Sequence, residues 1–383
     1  MAAGRSPLFA LQLVFGLNAL GLSVWFPRIP DVKNALGLDV LTLALCLFAL
    51  PAGTMLGFLV VSRITHAIGV RNACIWGGAA FLISFIVPAL ATGPVSLAAG
   101  LFLCGLAIAI IEVAMNAKAS QMEKELGRRI MTRCHAFWSF GTVGGALIGG
   151  AYAQAGLSFL VQQVTLQPVF AVLTIIFASR LVPDAERAPD DSPGALFPPG
   201  KALLLICLVP IGALLIEGAM MEWSALLLRE DIGASPFATA ATFSVFAMAM
   251  ALTRLAGDRL AEIFGPRSVI VASGLTMGVG IAAFGLAPNL WAAAPAAALV
   301  GIGCGNIYPL AMSIVAQLPG QAPERNVATL ALIAFTAFLI GPPLIGALAS
   351  YLSLPVALAL LAPLGLTPVI LRNRLTIGRN DTA

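Results

Sequence analysis

The sequence is poor in charged residues, since Asp, Glu, Lys and Arg make up only 10% of its 383 residues, against roughly 25% in soluble domains. It has 2 histidines, and its 6 cysteines stand singly with no Cys-x-x-Cys pair, so neither a disulfide framework nor a metal site is indicated. The sequence also lacks a Walker loop and a catalytic nucleophile motif. We therefore expect no enzyme activity, no ATP-driven transport, no cofactor or metal and no nucleic-acid partner.

What the sequence does contain is apolar residues: 60% are hydrophobic and the mean hydropathy is +0.98. A helix that spans a bilayer needs about 20 apolar residues, and twelve segments qualify, some after allowing interruptions. The sequence therefore predicts an all-α integral membrane protein with twelve transmembrane helices. The predicted spans are Leu8–Pro27, Leu41–Val61, Ala73–Ala91, Val95–Met115, Ala136–Ala155, Phe159–Leu181, Ala202–Trp223, Phe237–Leu252, Val269–Leu286, Leu290–Ala316, Val327–Ala349 and Leu354–Leu371.

The two halves of the chain carry the same construction, an Arg followed six residues later by Gly and eight residues later by Arg. The copies lie 196 residues apart (259 − 63), about half the chain. A repeat of this length indicates an architecture built by duplication. The repeated residues are Arg63, Gly69 and Arg71, then Arg259, Gly265 and Arg267, and the same offset relates Gly145 to Gly341.

Residues 183–200 divide the predicted spans into six and six. This segment holds five prolines and four acidic residues and has no run long enough to span a membrane, so it is predicted to be a flexible linker. We therefore expect an N-terminal six-helix bundle over residues 1–182 and a C-terminal one over residues 201–383. Two like halves with even helix numbers are related by a pseudo-twofold axis along the membrane normal.

The placement of the basic residues predicts the orientation, because Lys and Arg concentrate in cytoplasmic loops. With both termini in the cytoplasm, 18 of the 21 basic residues, Arg254 among them, fall in or beside cytoplasmic loops. The exceptions are Arg28, Lys33 and Arg229. We expect a monomeric, multi-pass protein of a bacterial inner membrane, surrounded by lipid, with both termini in the cytoplasm.

The second repeated loop, Gly257-Asp258-Arg259 through Gly265 and Arg267, resembles the loop motif of major facilitator superfamily transporters. The first copy has Ser62 where the second has Asp258. The resemblance implies that superfamily's fold and a cytoplasmic latch between the halves. The alternative is that these residues only fix topology, with glycine for the turn and arginines at the headgroups. The latch candidates are Arg63, Gly69, Arg71, Asp258, Arg259, Gly265 and Arg267.

Two further segments resemble particular branches of that superfamily. The stretch Glu112-Val-Ala-Met-Asn116 is similar to the Glu-x-Ala-x-Asn of fucose-type sugar:proton symporters. Glu217-Gly-Ala-Met-Met-Glu222-Trp223-Ser224, with Trp25-Phe-Pro-Arg28, resembles the YbjJ/MosC group, which is linked to rhizopine, an inositol-amine derivative. The sugar symporters also have an acidic residue in the first helix. Because none occurs between Pro7 and Pro27, their coupling scheme is not carried over.

Three carboxylates, Glu112, Glu217 and Glu222, lie in predicted spans, where an ionisable group is costly and usually functional. A carboxyl group can bind and release a proton, which ion coupling requires. Asn116 lies one turn from Glu112 on the same helix face. Glu217 and Glu222 are about 140° apart around a regular helix, unless nearby glycines loosen it. The alternatives are a structural hydrogen bond for Glu112 and an interfacial position for Glu222, beside Trp223.

Polar and aromatic residues in other spans complete the candidate set. The asparagines either contact the solute or join two helices, and the 196-residue offset makes Tyr308 the counterpart of Glu112. The tryptophans either stack on a sugar-like ring or anchor helices. Arg28 either binds an anionic group or pairs with Asp31 or Asp39. These candidates are Asn18, Asn306, Tyr308, Trp25, Trp138 and Arg28.

The sequence thus predicts a proton-coupled secondary transporter that moves a small polar organic solute, sugar-like or inositol-amine-like, by alternating access. Carboxylates with few cations beside them favour a neutral or cationic solute. Two alternatives stay open, a broad-specificity efflux pump for amphipathic compounds and a non-transporting membrane sensor. Many unrelated ligands would indicate the pump, and binding without flux would indicate the sensor.

Overall fold

The computed structural model describes residues 5–128, 130–184, 200–318 and 323–375. These residues form twelve helical segments and no strand, which confirms the all-α fold class. The segments are α1 Pro7–Ala35, α2 Val40–Ile68, α3 Val70–Ala89, α4 Pro94–Leu126, α5 Met131–Gln154, α6 Phe159–Ala178, α7 Leu203–Asp231, α8 Pro236–Phe264, α9 Pro266–Gly285, α10 Leu290–Val315, α11 Pro323–Tyr351 and α12 Leu354–Ile370.

Most of these helices have the length and composition of membrane spans. Ten segments of the described chain are long and apolar enough to cross a bilayer, and α12 is a shorter apolar helix. The remaining helix, α5, is 24 residues long. Several helices run beyond the predicted spans: the eighth was predicted to end at Leu252, whereas α8 continues to Phe264.

The 196-residue offset found in the sequence also relates the helix bounds. Adding 196 to the bounds of α1 gives those of α7 (7 + 196 = 203 and 35 + 196 = 231), and the same holds for α2 with α8 and for α3 with α9. The starts of α4 and α10 are related in the same way (94 + 196 = 290). The first three helices of each half therefore have equal lengths, as a duplication predicts, whereas α4 and α10 share an equivalent start but have 33 and 26 residues.

The turns between helices repeat as well. Gly37 and Gly233 have φ of 61° and 75°, and Gly69 and Gly265 have φ of 84° and 78°. These left-handed values favour glycine, which has no Cβ to clash with the backbone. The loop-motif glycines are therefore required by the sharp turns from α2 to α3 and from α8 to α9.

By its contacts the chain divides into two compact units. The first unit comprises Met1–Arg187 with Leu228–Ser244, and the second comprises Ala188–Leu227 with Val245–Ala383. The predicted bundles divided the chain once, at residues 183–200, of which 185–199 lie outside the described residues. The structure places the end of α7 and the start of α8 with the first unit.

Ion pairs hold Leu228–Ser244 within the first unit. Asp31 Oδ1 lies 3.2 Å from Arg229 Nη2. Lys33 Nζ lies 2.9 Å from both carboxylate oxygens of Glu230. Both contacts connect the end of α1 with the end of α7, where α7 widens into a π-helical turn over Leu227–Asp231.

Glycines on α5 bring its backbone against α1. A methyl group added at Gly141 would collide with the carbonyl oxygen of Gly16, and one added at Gly145 with that of Leu20. At Gly149 the added methyl would lie 2.6 Å from the Val24 oxygen. Both sets of residues recur every four positions, so one face of each helix makes this contact. The glycine-rich segment of the first half therefore serves close helix packing.

Candidate functional site

In the first unit, Glu112 lies in the interior of α4, 18 residues after Pro94 and 14 before Leu126 (112 − 94; 126 − 112). Its carboxylate is partly buried and accepts a hydrogen bond from Asn116 Nδ2 at 3.1 Å. The same amide nitrogen donates to the backbone oxygen of Glu112 at 2.8 Å. The structure thus brings together the two ends of the Glu-x-Ala-x-Asn motif, as their spacing predicts. Among the described residues, Glu112 has no cationic partner.

In the second unit, Glu217 pairs with a cation that the sequence analysis did not select. Arg254 Nη2 lies 3.4 Å from both carboxylate oxygens of Glu217, and Arg254 Nε donates to the Gly305 carbonyl oxygen at 3.3 Å. Because α8 continues to Phe264, Arg254 lies 10 residues inside its end (264 − 254). The predicted placement of Arg254 at a loop or helix end was therefore wrong.

The carboxylate of Glu222 differs from those of Glu112 and Glu217 in its partners. Glu222 is partly buried, and within the described part of the chain its carboxylate has neither an ion-pair nor a hydrogen-bond partner. As far as Leu226, α7 is regularly α-helical, so its glycines do not loosen it, and Glu217 and Glu222 stay about 140° apart. The neighbouring Trp223 is 0% exposed. A tryptophan at the membrane interface faces the lipid headgroups, so the burial of Trp223 does not support the interfacial alternative for Glu222.

The two asparagine candidates are buried. Asn18 is 0% exposed and Asn306 2% exposed. Asn18 Nδ2 donates to the Val14 carbonyl oxygen of its own helix at 2.8 Å. The side chain of Asn306 packs against Gly257, where an added methyl would collide with its amide oxygen. This packing supports the helix-joining role for Asn306, because α8 and α10 approach closely there.

The aromatic candidates occupy different surroundings. Trp25 is 1% exposed, and its ring lies 5.4 Å from that of Phe159, which supports a role as a helix anchor. Trp138 is only partly buried on α5. Tyr308 is also partly buried, with its ring 6.4 Å from that of Phe335. Trp138 and Tyr308 therefore keep the exposed ring area that solute contact requires.

Each of the three nitrogens of the Arg28 guanidinium contacts an oxygen within the first unit. Nε lies 2.7 Å from Asp31 Oδ2, Nη1 donates to Gln162 Oε1 at 2.9 Å, and Nη2 donates to the Leu157 oxygen at 2.8 Å. Arg28 is 3% exposed. The geometry supports the predicted alternative, pairing with Asp31, over binding of an anionic solute.

The arginine that ends each loop motif contacts the chain after the last helix of its own half. Arg71 donates from its backbone nitrogen to Asp184 Oδ2 at 3.0 Å, and its side chain donates to the carbonyl oxygens of Leu181 and Ser179. Arg267 Nη2 donates to Asn373 Oδ1 at 3.1 Å. Both arginines therefore connect the start of the third helix of a half to the end of its sixth helix. The remaining charged latch candidates, Arg63, Asp258 and Arg259, are exposed.

Two sets of polar contacts in the structure were not predicted from the sequence. Lys118, predicted beside a loop, is 1% exposed and pairs with Asp184 at 3.1 Å. Gln162, Gln163 and Gln167 are each 0% exposed, and Gln162 and Gln167 donate to the backbone oxygens of Val24 and Gly21 at 2.9 Å. Gln162 and Gln167 therefore bind α1, and three glutamines within one apolar predicted span could have indicated such a contact.

Comparison with known proteins identifies the family. A model of the Major Facilitator Superfamily matches residues 208–372. An uncharacterized MFS-type transporter of Yersinia pestis is 31% identical over 366 residues, which are 95% of this chain and 94% of that protein. The membrane protein MosC of Rhizobium meliloti is 25% identical over 93% of this chain and 87% of its own length. The chain therefore belongs to the major facilitator superfamily and is a membrane transporter, not an enzyme.

Solved structures show the same fold. The crystal structure of the nucleoside transporter NupG matches with a TM-score of 0.75 at 12% identity and covers 97% of this chain and 99% of that one. The crystal structure of a D-xylose-proton symporter also matches with a TM-score of 0.75 at 12% identity, covering 96% and 97%. At such low identity the likeness supports the fold alone.

Proposed function

We propose that this transporter couples the movement of a small polar organic solute, sugar-like or inositol-amine-like, to the movement of protons. Alternating access would then arise because protonation and solute occupancy change the relative stability of its conformations. The observation that supports this most is Glu112, an acidic side chain in the interior of α4 whose only described hydrogen bond comes from the neutral amide of Asn116.

The partners of the three acidic side chains indicate which of them carries the proton and which contacts the solute. A proton carrier must exist in both charged and neutral forms, and a guanidinium beside a carboxylate stabilises only the charged form. Glu217 has such a partner in Arg254, whereas Glu112 and Glu222 have no cationic partner in the described chain. We therefore assign proton carriage to Glu112, with Glu222 as a second candidate, and solute contact to Glu217.

The relatives support the solute class. The resemblance to MosC, a group linked to an inositol-amine derivative, agrees with the match along most of both chains. The structures with the same fold are those of a nucleoside transporter and a D-xylose-proton symporter. Nucleosides and D-xylose are small hydroxylated solutes. The predicted orientation, with both termini in the cytoplasm of a bacterial inner membrane, and the monomeric state belong to the same proposal.

Proton flux into proteoliposomes tests the coupling. The purified protein is reconstituted with a pH-sensitive dye inside, and D-xylose, uridine and myo-inositol are added outside in turn. At least one solute should drive proton movement with the wild-type protein, and Glu112→Gln should lower it to the level of empty liposomes, because an amide cannot take up the proton. Glu125→Gln, an exposed residue of the same helix, is the matched control.

Two results would contradict this proposal. If the Glu112→Gln variant kept the proton flux of the wild-type protein, Glu112 would not be the proton carrier. Solute uptake without proton movement in the wild-type protein would remove the coupling itself. A response to many unrelated amphipathic compounds would favour the efflux pump instead.

A further inference from the structure

Part of the hydrogen-bonding capacity of Arg254 is not used by the residues that the structure describes. A guanidinium has five N–H donors. In the structure, Nε donates to the Gly305 oxygen and Nη2 contacts the two Glu217 oxygens. Nη1, with its two hydrogens, makes no hydrogen bond to any described residue. One edge of the guanidinium is therefore free to bind an acceptor.

The contact between Arg254 and Glu217 is loose for an ion pair. Charge-assisted N–H···O bonds usually measure about 2.7–2.9 Å, whereas both distances from Nη2 to the Glu217 oxygens are 3.4 Å. The arrangement is also not the parallel fork in which two nitrogens meet two oxygens. The pair is therefore close enough to neutralise both charges, and it still leaves each group able to accept a further partner.

Both groups are reachable. The Arg254 side chain is 29% exposed and that of Glu217 12% exposed, although each lies in the interior of a helix long enough to span the bilayer. Charged groups at such depth almost always face protein or a water-filled cavity, because exposure to hydrocarbon is costly. The exposed surface of this pair is therefore the kind that a dissolved solute can contact.

We infer that Arg254 is a solute-binding residue, with Glu217 as its resting counter-ion, and that the pair selects a solute of zero net charge carrying adjacent hydroxyl groups. A hydroxyl group both donates and accepts, so one hydroxyl accepts from Arg254 Nη1 while its neighbour donates to Glu217. Since the pair is neutral as a whole, a solute with a net charge would leave one charge uncompensated once the bound solute has displaced water from the pair.

This inference rests on the proposed function and narrows its solute class. A purely structural role would use Arg254 only to fix α8 against α10 through the Gly305 oxygen. That role predicts a loss of folding stability when Arg254 is changed, with no change in which solutes bind. Solute selectivity therefore separates the two roles.

The experiment measures thermal shifts and titrated affinities of the full-length protein in nanodiscs. The probes are the neutral polyols myo-inositol, D-xylose and D-glucose, with D-glucuronate as the acidic counterpart of glucose. At least one neutral polyol should bind the wild-type protein. Arg254→Gln should weaken that binding about 10- to 100-fold, the range expected for losing a hydrogen bond to a charged group, whereas Arg254→Lys should regain part of it.

Selectivity gives the sharper readout. Glu217→Gln leaves the guanidinium without its counter-ion, so this variant should bind glucuronate more tightly than the wild-type protein does. Arg372→Gln, the same substitution at an exposed position of the second unit, should leave all affinities unchanged. Retention of wild-type polyol affinity in Arg254→Gln would overturn the inference.

The outcomes also separate this inference from the transport proposal. If none of the polyols binds while another compound drives proton flux, the solute class inferred here is wrong and proton-coupled transport stands. If polyols bind in an Arg254-dependent manner and no proton movement accompanies them, the binding role stands and the coupling fails.

Discussion

The first three helices of each half in this transporter have the same lengths, whereas the polar chemistry of the two halves differs. The bounds of α1 to α3 coincide with those of α7 to α9 after a shift of 196 residues. The acidic Glu112 of the first half, however, corresponds to Tyr308 in the second (112 + 196 = 308). The second half instead has its paired carboxylate, Glu217, at the position of Gly21 in the first (21 + 196 = 217).

This difference shows which constraints the duplicated fold imposes. Apolar runs of spanning length and glycines with positive φ are needed in both halves, because they set where helices begin and end. Charged side chains are needed only where a particular contact or chemical step uses them. Matched substitutions at equivalent places should therefore have unequal effects, and three comparisons test this.

The largest difference should appear at the end of the sixth helix of each half. Asp184→Asn leaves the buried Lys118 ammonium without its carboxylate, so we expect the free energy of unfolding to fall by about 2–4 kcal/mol. In the second half, Asn373→Ala removes a contact to Arg267 between exposed groups and should cost about 0.5–1 kcal/mol. Denaturant unfolding in detergent measures both.

A double variant controls for other effects of the Asp184 substitution. Lys118→Met together with Asp184→Asn removes both charges, so it should be more stable than Asp184→Asn alone. If Asp184→Asn destabilises no more than Asn373→Ala does, the buried ion pair is not what stabilises the first half at this point.

The equivalent glycines Gly145 and Gly341 give the second comparison. A methyl group at Gly145 would collide with the Leu20 oxygen, whereas none of the described atoms lies within 4 Å of one at Gly341. Gly145→Ala should therefore cost about 1–3 kcal/mol through overpacking. Gly341→Ala should be neutral or stabilise by up to about 1 kcal/mol, because alanine lowers the entropy lost on folding. Equal melting temperatures for the two variants would contradict this reading of the packing.

The smallest effect concerns the helix N-caps of α2 and α8. Asp39 Oδ1 accepts from the Thr42 amide at 2.7 Å, and at the equivalent place Ser235 Oγ accepts from the Ala238 amide at 3.3 Å. The Thr42 amide and hydroxyl lower the pKa of Asp39. Because that pKa is below its unfolded value, the cap's contribution is present above about pH 4 and is lost as the pH falls through the folded value.

Amide hydrogen exchange measures this difference, after correction for intrinsic rates. Protection at Thr42 should decrease between pH 6 and pH 3, and protection at Ala238 should stay constant because a serine hydroxyl does not titrate in this range. Asp39→Ser should remove the pH dependence at Thr42. Parallel losses at Thr42 and Ala238 would show that the change is not specific to the carboxylate cap.

The sequence predicted the fold better than the site. The 196-residue offset and the apolar runs identified twelve helical segments, because both depend on residue spacing that is visible along the chain. Arg254 was predicted to lie in or beside a loop, because a hydropathy pattern ends a span at the first charged residue. Hydropathy does not show that Glu217, 37 residues earlier, supplies the opposite charge. The contact of Lys118 with Asp184, 66 residues apart, likewise depends on helix packing.

The equal lengths of the first three helices of each half have a consequence for how such a chain can evolve. Inserting or deleting one residue inside a helix rotates everything beyond it by about 100°, which would turn its buried face toward lipid and remove contacts such as those between α5 and α1. Within these three helices we therefore expect the two descendants of a duplicated gene to have been free to exchange one amino acid for another but not to change length. New specificities in this architecture are expected to arise by substitution, and length changes to accumulate in the connecting loops.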